Sequence, residues 1–423
     1  MWESVARGIA GSLCRTTEYL RGWVEVPTGG ESPRTHRRFD GGPIRWNSGA
    51  DGHSPDGSRC ASTACRVRER MRAFVVLFPL PAYPNGVARM DSETAMRAAI
   101  TAAAGVRART SPNPWVGAVL LSPDGELIAI GATEPPGGRH AEIVALDAAG
   151  AAARGATLVC TLEPCSHQGR TPPCTDAIVA AGVAVVVVGI ADPDERVAGS
   201  GIAALRRAGI DVEVGVLAHH VEAQLAPYLH HRRTGRPYVV CKLATSADGG
   251  TAAPDGSSQW ITGEEARRDA HRLRAESDAI LVGAGTVRAD DPALTVRHVD
   301  GDDPLRVVLG SAPAGARVHP CLEWSGGLDE LLDELGRRGI VQLMVEGGAR
   351  VIGSFHSAGL VDRYVLYVAP AFFGGADATP AIASPTAPTI DDLWRGRFAV
   401  VERVGDDVRL EIVPAHHDQQ EGR

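Results

Sequence analysis

The segment ATLVCTLEPCSHQGRTPPCTDAIVAAGVAVVVVGI, residues 156–190, decides the fold. Ala156–Leu162 is an apolar run of strand length. Pro172–Ala181 reads as a helix, with Pro at its start and Gly182 at its end. Val183–Ile190 is rich in β-branched residues, the mark of a parallel strand buried on both faces. Strand, helix, strand in succession predicts an α/β layer structure. The same segment places Cys160, Cys165 and Cys174 within 15 positions, while the whole chain of 423 residues has only 8 Cys. That is too few for a disulfide scaffold, and in a reducing compartment the clustering points to a metal or catalytic site. Cys160 lies inside the apolar strand and is expected in the core.

Just upstream stands His140-Ala-Glu142. A catalytic zinc takes three protein ligands and keeps one position open for water. His140, Cys165 and Cys174 supply one imidazole and two thiolates. Cys165 follows a strand, and Cys174 falls in the first turn of a helix, whose positive end favours a thiolate. Glu142 lies close without having to bind the metal, so it is placed to move protons. A structural site would want a fourth ligand, which His167 could provide. The pattern matches the zinc-deaminase signature, with eight residues between the cysteines in place of the usual two.

Outward from this core, Ser92 is expected to cap a helix ended by Gly105. Val116–Leu121 and Leu127–Ile130 form a hairpin about the turn Ser122-Pro-Asp-Gly125. Helices over 141–153 and 202–208 and a strand over 210–216 complete a first α/β domain, residues 90–216. Residues 217–236 read as helical or linking. A second alternation runs over 237–415: strands at 238–244, 279–282, 305–309, 342–345 and 364–369, and helices at 264–274 (capped by Thr262), 328–338 and 350–358. A hairpin of 398–404 and 408–413 closes it. Residues 1–89 lack periodicity and read as a disordered leader, or as sequence upstream of a true start at Met90. Residues 416–423, with His416 and His417, read as a frayed tail.

Net charge is −8, and residues 1–89 hold 13 Arg against 8 acidic residues, so the remainder stands at −13. That argues against binding to a phosphate backbone. Lys242 is the only lysine in the chain. No apolar run reaches membrane-spanning length. These features predict a cytoplasmic protein that binds neither nucleic acid nor membrane; they leave open whether it forms a homo-oligomer.

HAE, then LEPCSHQGRTPPC, together with Pro112-Asn-Pro-Trp-Val-Gly117, resembles the bifunctional deaminase/reductase family of riboflavin biosynthesis, from about Met90 to Val413. The resemblance implies a cytidine-deaminase-like three-layer domain followed by a dihydrofolate-reductase-like α/β domain. It implies hydrolytic deamination of 2,5-diamino-6-(5-phospho-ribosylamino)pyrimidin-4(3H)-one at a Zn²⁺ centre. Reduction of the ribosyl group with NADPH follows, giving 5-amino-6-(5-phospho-ribitylamino)uracil. Asn113, His167 and Arg170 would contact the deaminase substrate. Thr133 stands where many members carry a histidine.

In the second domain the motifs are Lys242–Gly249, Ser258–Thr262, Ala266–Arg274, Gly283–Arg297 and Val345-Glu-Gly-Gly-Ala-Arg350. The last is strand, Gly-Gly, helix, a form that lets backbone approach a phosphate. By resemblance, Ala244, Trp260, Thr286, Asp290 and the run Gly348, Ala349, Arg350, Val351, Ile352, Gly353 and Ser354 line the NADPH site. Ser258, Arg274, Leu294, Arg297 and Glu346 line the reductase substrate site. The span between Leu309 and Leu328 reads short for the family, as if a strand–loop unit were missing. A chain in which only the deaminase works, beside a non-catalytic nucleotide-binding domain, is the alternative reading.

Overall fold

The computed structural model describes residues 89–168, 172–194, 197–385 and 387–415. The expectations for the leader 1–88, for Arg170 and for the tail 416–423 lie outside these residues.

The first helix, Ser92–Ala104, is capped by Asp91 rather than Ser92: Asp91 has extended backbone and its carboxylate accepts from the Thr94 N–H. Ser92 sits one residue too far in, where its backbone is already helical. Ala95, Met96, Ala99 and Ala103 are buried along one face, as their spacing predicts.

Strands β1 (Gly117–Leu121), β2 (Leu127–Ala132), β3 (Thr157–Leu162), β4 (Val185–Ile190) and β5 (Asp211–Val214) form one sheet in the order β2-β1-β3-β4-β5. β1 runs antiparallel to β2 and β3; β3, β4 and β5 are parallel. Gly117 pairs with Ala132 and Ala118 with Gly131, so the two glycines face opposite sides of the sheet. A Cβ on Gly117 would stand 1.9 Å from the Ala99 carbonyl oxygen, and one on Gly131 would stand 2.2 Å from that of Ala141. Helix 92–104 therefore packs on one face and helix Ala141–Ala149 on the other, which makes the three layers. Gly117→Ala is expected to lower stability by about 1–3 kcal/mol or more, because the obstacle is backbone; a denaturant midpoint unmoved from wild type would contradict this.

Residues Ala218–Thr234 form a continuous helix, not a loose connection. Val221, Leu225, Tyr228 and Leu229 are buried in the first core, and Ala226 packs against the core of the second sheet. Arg107 hydrogen-bonds Gln342 and lies 3.6 Å from Glu276, a further tie across the two halves.

The second sheet contains β6 (Tyr238–Ser246), β8 (Ala279–Gly283), β9 (Leu305–Leu309), β10 (Leu322–Trp324), β11 (Gln342–Val345), β12 (Arg363–Ala369), β14 (Gly396–Val404) and β15 (Asp407–Pro414). Its order is β10-β9-β8-β11-β6-β12-β15-β14, parallel from β10 through β12 and antiparallel at the last two strands. β7 (Gly250–Ala252) and β13 (Thr379–Pro380) pair separately. Alternate residues of the central strands go to opposite faces. Val239, Cys241, Leu281 and Leu343 join Leu331, Leu335 and Phe355 on one side. Val240, Ile280, Val282 and Met344 join Ala266, Ala270, Leu273 and Val287 on the other. Both faces are thus covered by helices, which is why these strands read as unbroken apolar runs.

Two sequence expectations change here. Helix Glu264–Ala275 is capped by Gly263, with Thr262 one residue outside it. The short 309–328 span does contain a strand: β10 pairs in parallel with β9 at the sheet edge. Its three residues are too few to show a periodicity in the sequence.

Candidate active sites

The end of β3 and the starts of two helices converge on one point. His140 caps helix 141–149, with Glu142 in its first turn; Cys174 opens helix Cys174–Ala181. Nδ1 of His140 lies 3.2 Å from Cys174 Sγ and 3.5 Å from Cys165 Sγ. Metal bonds of about 2.1 Å to nitrogen and about 2.3 Å to sulfur, meeting near the tetrahedral angle, put N and S about 3.5 Å apart. The three donors fit one zinc ion. The Cys165 thiol is drawn down to about 4, first by the Cys174 thiol donating to it and then by His140. Cys174 is pushed up, chiefly by the Cys165 thiolate beside it and by burial. The cluster thus holds negative charge that a divalent cation neutralises on binding.

Glu142 is 4% exposed. Burial raises its carboxyl and the facing His140 works against that rise. It can take and return a proton at the edge of the metal cluster. His167 is half-buried, and its Nδ1 has no hydrogen-bond partner among the described residues. It stays out of the group formed by His140, Cys165 and Cys174, so the four-ligand alternative is not what the structure forms. Asn113 lies partly buried in the turn before Trp115 and β1, its N–H bonded to the Thr110 carbonyl. Thr133 is buried, and its hydroxyl accepts from the Val116 N–H at 3.0 Å. It fixes the start of the hairpin at the pocket loop.

Glu163 was not singled out by sequence reasoning. Its carboxylate accepts four backbone N–H groups, from Asp192 (3.1 Å), Gly199 (3.0 Å), Gly201 (2.9 Å) and Ile202 (3.1 Å). Two of these belong to the first turn of helix Ser200–Arg207, so Glu163 pins that helix two residues before Cys165. Glu163→Gln replaces one acceptor oxygen by a donor. It should cost about 1.5–3 kcal/mol, read as a lower thermal midpoint in the zinc-loaded protein; an unchanged midpoint would count against the role.

The second site is a cavity of about 610 Å³ along the carboxyl ends of β8 and β11, where open α/β sheets bind ligands. Of the residues expected there, Trp260, Arg274, Thr286, Asp290, Leu294, Arg297 and Glu346 line it. Lys242, Arg267, His271, Arg317 and Tyr367 line it as well. Five cations face two acids, a balance suited to phosphates. Arg274 Nη2 lies 2.6 Å from Glu346 Oε2, and Lys242 Nζ lies 3.3 Å from Oε1. Burial alone would raise the Glu346 carboxyl, but Arg274 and Lys242 bring it down to about 2. Trp260 is 69% exposed, with Arg267 4.8 Å from its ring centroid, so it is no core residue.

His271, buried and beside Arg274 and Arg297, is lowered to about 4. Its folded value lies below the ordinary 6.5, so the unfolded chain binds more protons between the two. Stability should therefore fall as pH drops from about 6.5 through 4, measured by denaturant titration across that range. The slope should flatten in His271→Asn.

The remaining expected residues are placed differently. Ala244 sits in β6 opposite Tyr367, and Ser258 is half-buried in the loop before Trp260; neither is among the residues lining the cavity. Gly348 caps helix Ala349–Ser357 with no side-chain bond, leaving first-turn N–H groups for a ligand. Ala349 and Arg350 follow in that turn. Val351 packs on Gly347 and Gly283, Ile352 is 2% exposed, and a Cβ on Gly353 would stand 2.0 Å from the Ala383 carbonyl oxygen. Ser354 is exposed and donates to the Arg350 carbonyl. Helical periodicity turns Ile352 and Gly353 away from any surface, so these two offer a ligand no side chain.

Comparison with known proteins gives these two sites an ancestry. Residues 89–190 match the cytidine and deoxycytidylate deaminase zinc-binding region, and residues 237–410 match the RibD C-terminal domain. The riboflavin biosynthesis protein RibD of Mycobacterium tuberculosis is 45% identical over 340 residues, covering 76% of this chain and 97% of that protein. That of Escherichia coli is 40% identical over 369 residues, covering 77% and 100%. This chain belongs to the RibD family.

Solved RibD structures agree. Acinetobacter baumannii RibD superposes with a TM-score of 0.71 at 36% identity, over 76% of this chain and 98% of that one. A Thermotoga maritima protein described as a diaminohydroxyphosphoribosylaminopyrimidine deaminase/5-amino-6-(5-phosphoribosylamino)uracil reductase gives 0.70 at 33%, over 76% and 98%. As a RibD, the chain is a bifunctional enzyme of riboflavin biosynthesis, a zinc-dependent deaminase joined to an NADPH-dependent reductase. Among the described residues no helix is long and apolar enough to cross a membrane.

Of the residues the sequence did not assign, Lys242 left the clearest signal. A solitary lysine among 42 arginines stands inside a strand. Its charge faces Glu346 across the cavity. Tyr367 gave none, since an aromatic in an apolar strand reads as core.

Proposed function

We propose that the first half, residues 90–216, deaminates 2,5-diamino-6-(5-phospho-ribosylamino)pyrimidin-4(3H)-one. The second half, residues 237–415, then reduces the product's ribosyl group to ribityl. The observation that carries the first step is a buried carboxyl, Glu142, beside a three-donor cluster of His140, Cys165 and Cys174. Bound there, zinc acts as a Lewis acid that brings the pKa of water toward neutrality. Glu142 takes a proton from the attacking water and delivers it to the departing amine, which leaves as ammonia while the ring gains the oxygen. Asn113 and His167 orient the pyrimidine, and His167 Nδ1, without a partner among the described residues, offers it a hydrogen-bonding atom. Arg170, by family likeness, takes the phosphate.

In the second cavity NADPH supplies the hydride. Trp260, Thr286, Asp290 and the first turn after Gly348 hold the cofactor, and the first-turn N–H groups suit its phosphates. Arg274 and Arg297 hold the substrate phosphate and ribose, with Leu294 shaping the pocket and Ser258 in the loop that leads to Trp260. Glu346 keeps the Arg274 guanidinium in place, since Arg274 also donates to the Thr295 carbonyl at 2.6 Å and is fixed at both ends.

The enzyme is read as cytoplasmic and as able to form a homo-oligomer. For self-association the supporting feature is the outer strand β14, where Phe398 is 62% and Val401 65% exposed, an apolar edge of the kind proteins cover.

The test supplies the diaminopyrimidinone ribosyl phosphate to the zinc-loaded full chain and follows ammonia, then NADPH absorbance. Ammonia followed by NADPH oxidation is expected. Ammonia without NADPH oxidation would instead favour a non-catalytic second half, and no ammonia would end the substrate assignment.

A further inference from the structure

A second group of soft and hard donors lies at the outer edge of the reductase sheet, outside the residues that line either site. His319, Cys321 and Glu323 stand where the loop before β10 enters that strand. Their ligand atoms all lie within 4.8 Å of one another. His319 Nδ1 is 3.5 Å from Cys321 Sγ. That is the N–S separation a tetrahedral zinc imposes, and it equals the His140–Cys165 distance in the deaminase cluster.

The outer contacts of the group also suit a metal. His319 Nε2 sits 3.1 Å from the Pro313 carbonyl oxygen. A carbonyl can only accept, so Nε2 carries the proton and Nδ1 is left with a lone pair aimed at the thiol. Metal-bound histidines are held in this way by a carbonyl on the far nitrogen. Glu323 Oε1 accepts from the Ala312 N–H at 2.9 Å, which holds that carboxylate in place by one oxygen. Arg306 donates to the His319 carbonyl at 3.4 Å, and Asp303, 2.9 Å away, balances its charge.

We propose that His319, Cys321 and Glu323 form a second zinc site, distinct from the deaminase centre, with solvent in the fourth position. One thiolate, one imidazole and one carboxylate select a borderline cation such as Zn²⁺ over Mg²⁺ or Ca²⁺. The ion would clip the short edge strand to its preceding loop. That loop carries Arg317, which lines the reductase cavity and whose N–H bonds Asp291 at 2.8 Å. The site is more exposed than the first and has one thiolate fewer, so it should lose its zinc to a chelator sooner.

The test dialyses full-length protein and the Cys321→Ser variant against Zn²⁺ and measures zinc per chain. The difference between the two is read, because Cys14, Cys60 and Cys65 also carry thiols. Wild type should hold one more equivalent than Cys321→Ser, with deamination equal in both as the control for folding. His319→Gln and Glu323→Gln should each lose the same equivalent. Equal zinc in wild type and Cys321→Ser overturns the site. Loss in Cys321→Ser but not in the other two overturns the three-ligand assignment.

Discussion

Glu142→Gln lowers deamination by about 10²–10⁴-fold while the protein keeps its deaminase zinc. Glutamine preserves shape but cannot accept and return a proton. The residue is buried, so no bulk water replaces its function at that position. Zinc content should not change, because His140, Cys165 and Cys174 supply the donors and Glu142 is outside that group. The NADPH-dependent step, assayed with the deaminated intermediate, should run at the wild-type rate. Retained deamination would remove Glu142 from proton transfer. Lost zinc would make it part of the metal scaffold instead.

Glu346→Gln is expected to disable the reductase while sparing the deaminase. The substitution removes the one charge that Arg274 and Lys242 share. Breaking a buried pair by deleting one partner costs about 3–5 kcal/mol, and Glu346 is buried enough for the lower part of that range to apply. Arg274 then keeps only its bond to the Thr295 carbonyl and can shift within the cavity. A displacement of about 1 Å in such a positioning group costs on the order of 10²-fold in rate. Steady-state NADPH oxidation with the deaminated intermediate measures it, and a wild-type rate would overturn the positioning role. The linkage has a definite sign. The folded carboxyl, near 2, lies below its ordinary value of 4.5. Its contribution to stability is present above about 4.5 and is lost as pH falls through about 2. Glu346→Gln should be less stable than wild type at neutral pH and converge on it in acid.

The legibility of the two sites in the sequence differs for a physical reason. The zinc ligands lie at strand ends and helix starts, where local sequence sets geometry. Their donor chemistry is rare enough that His140, Glu142, Cys165 and Cys174 declare themselves by type and spacing. The reductase cavity draws Lys242 from one strand, Arg274 from a helix and Glu346 from the end of another strand. Only strand order brings these together, because β11 lies between β8 and β6 and carries Glu346 out between them. The run 348–354 shows the limit from the other side: the motif was visible, but the helix turns Ile352 and Gly353 inward.

The sequence by itself determined the two α/β halves, their alternation of strand and helix, and the metal chemistry of the first. These rest on periodicity, on Gly and Pro punctuation and on donor type, all of which act over a few residues. Tertiary structure alone decided that residues 218–234 form a helix packed on the first core and touching the second, and that Glu163 reaches four N–H groups of a later loop and helix. It alone paired Glu346 with the chain's single lysine. Each of these depends on which segments lie side by side. Long-range packing and strand order fix that arrangement, and no local propensity records it.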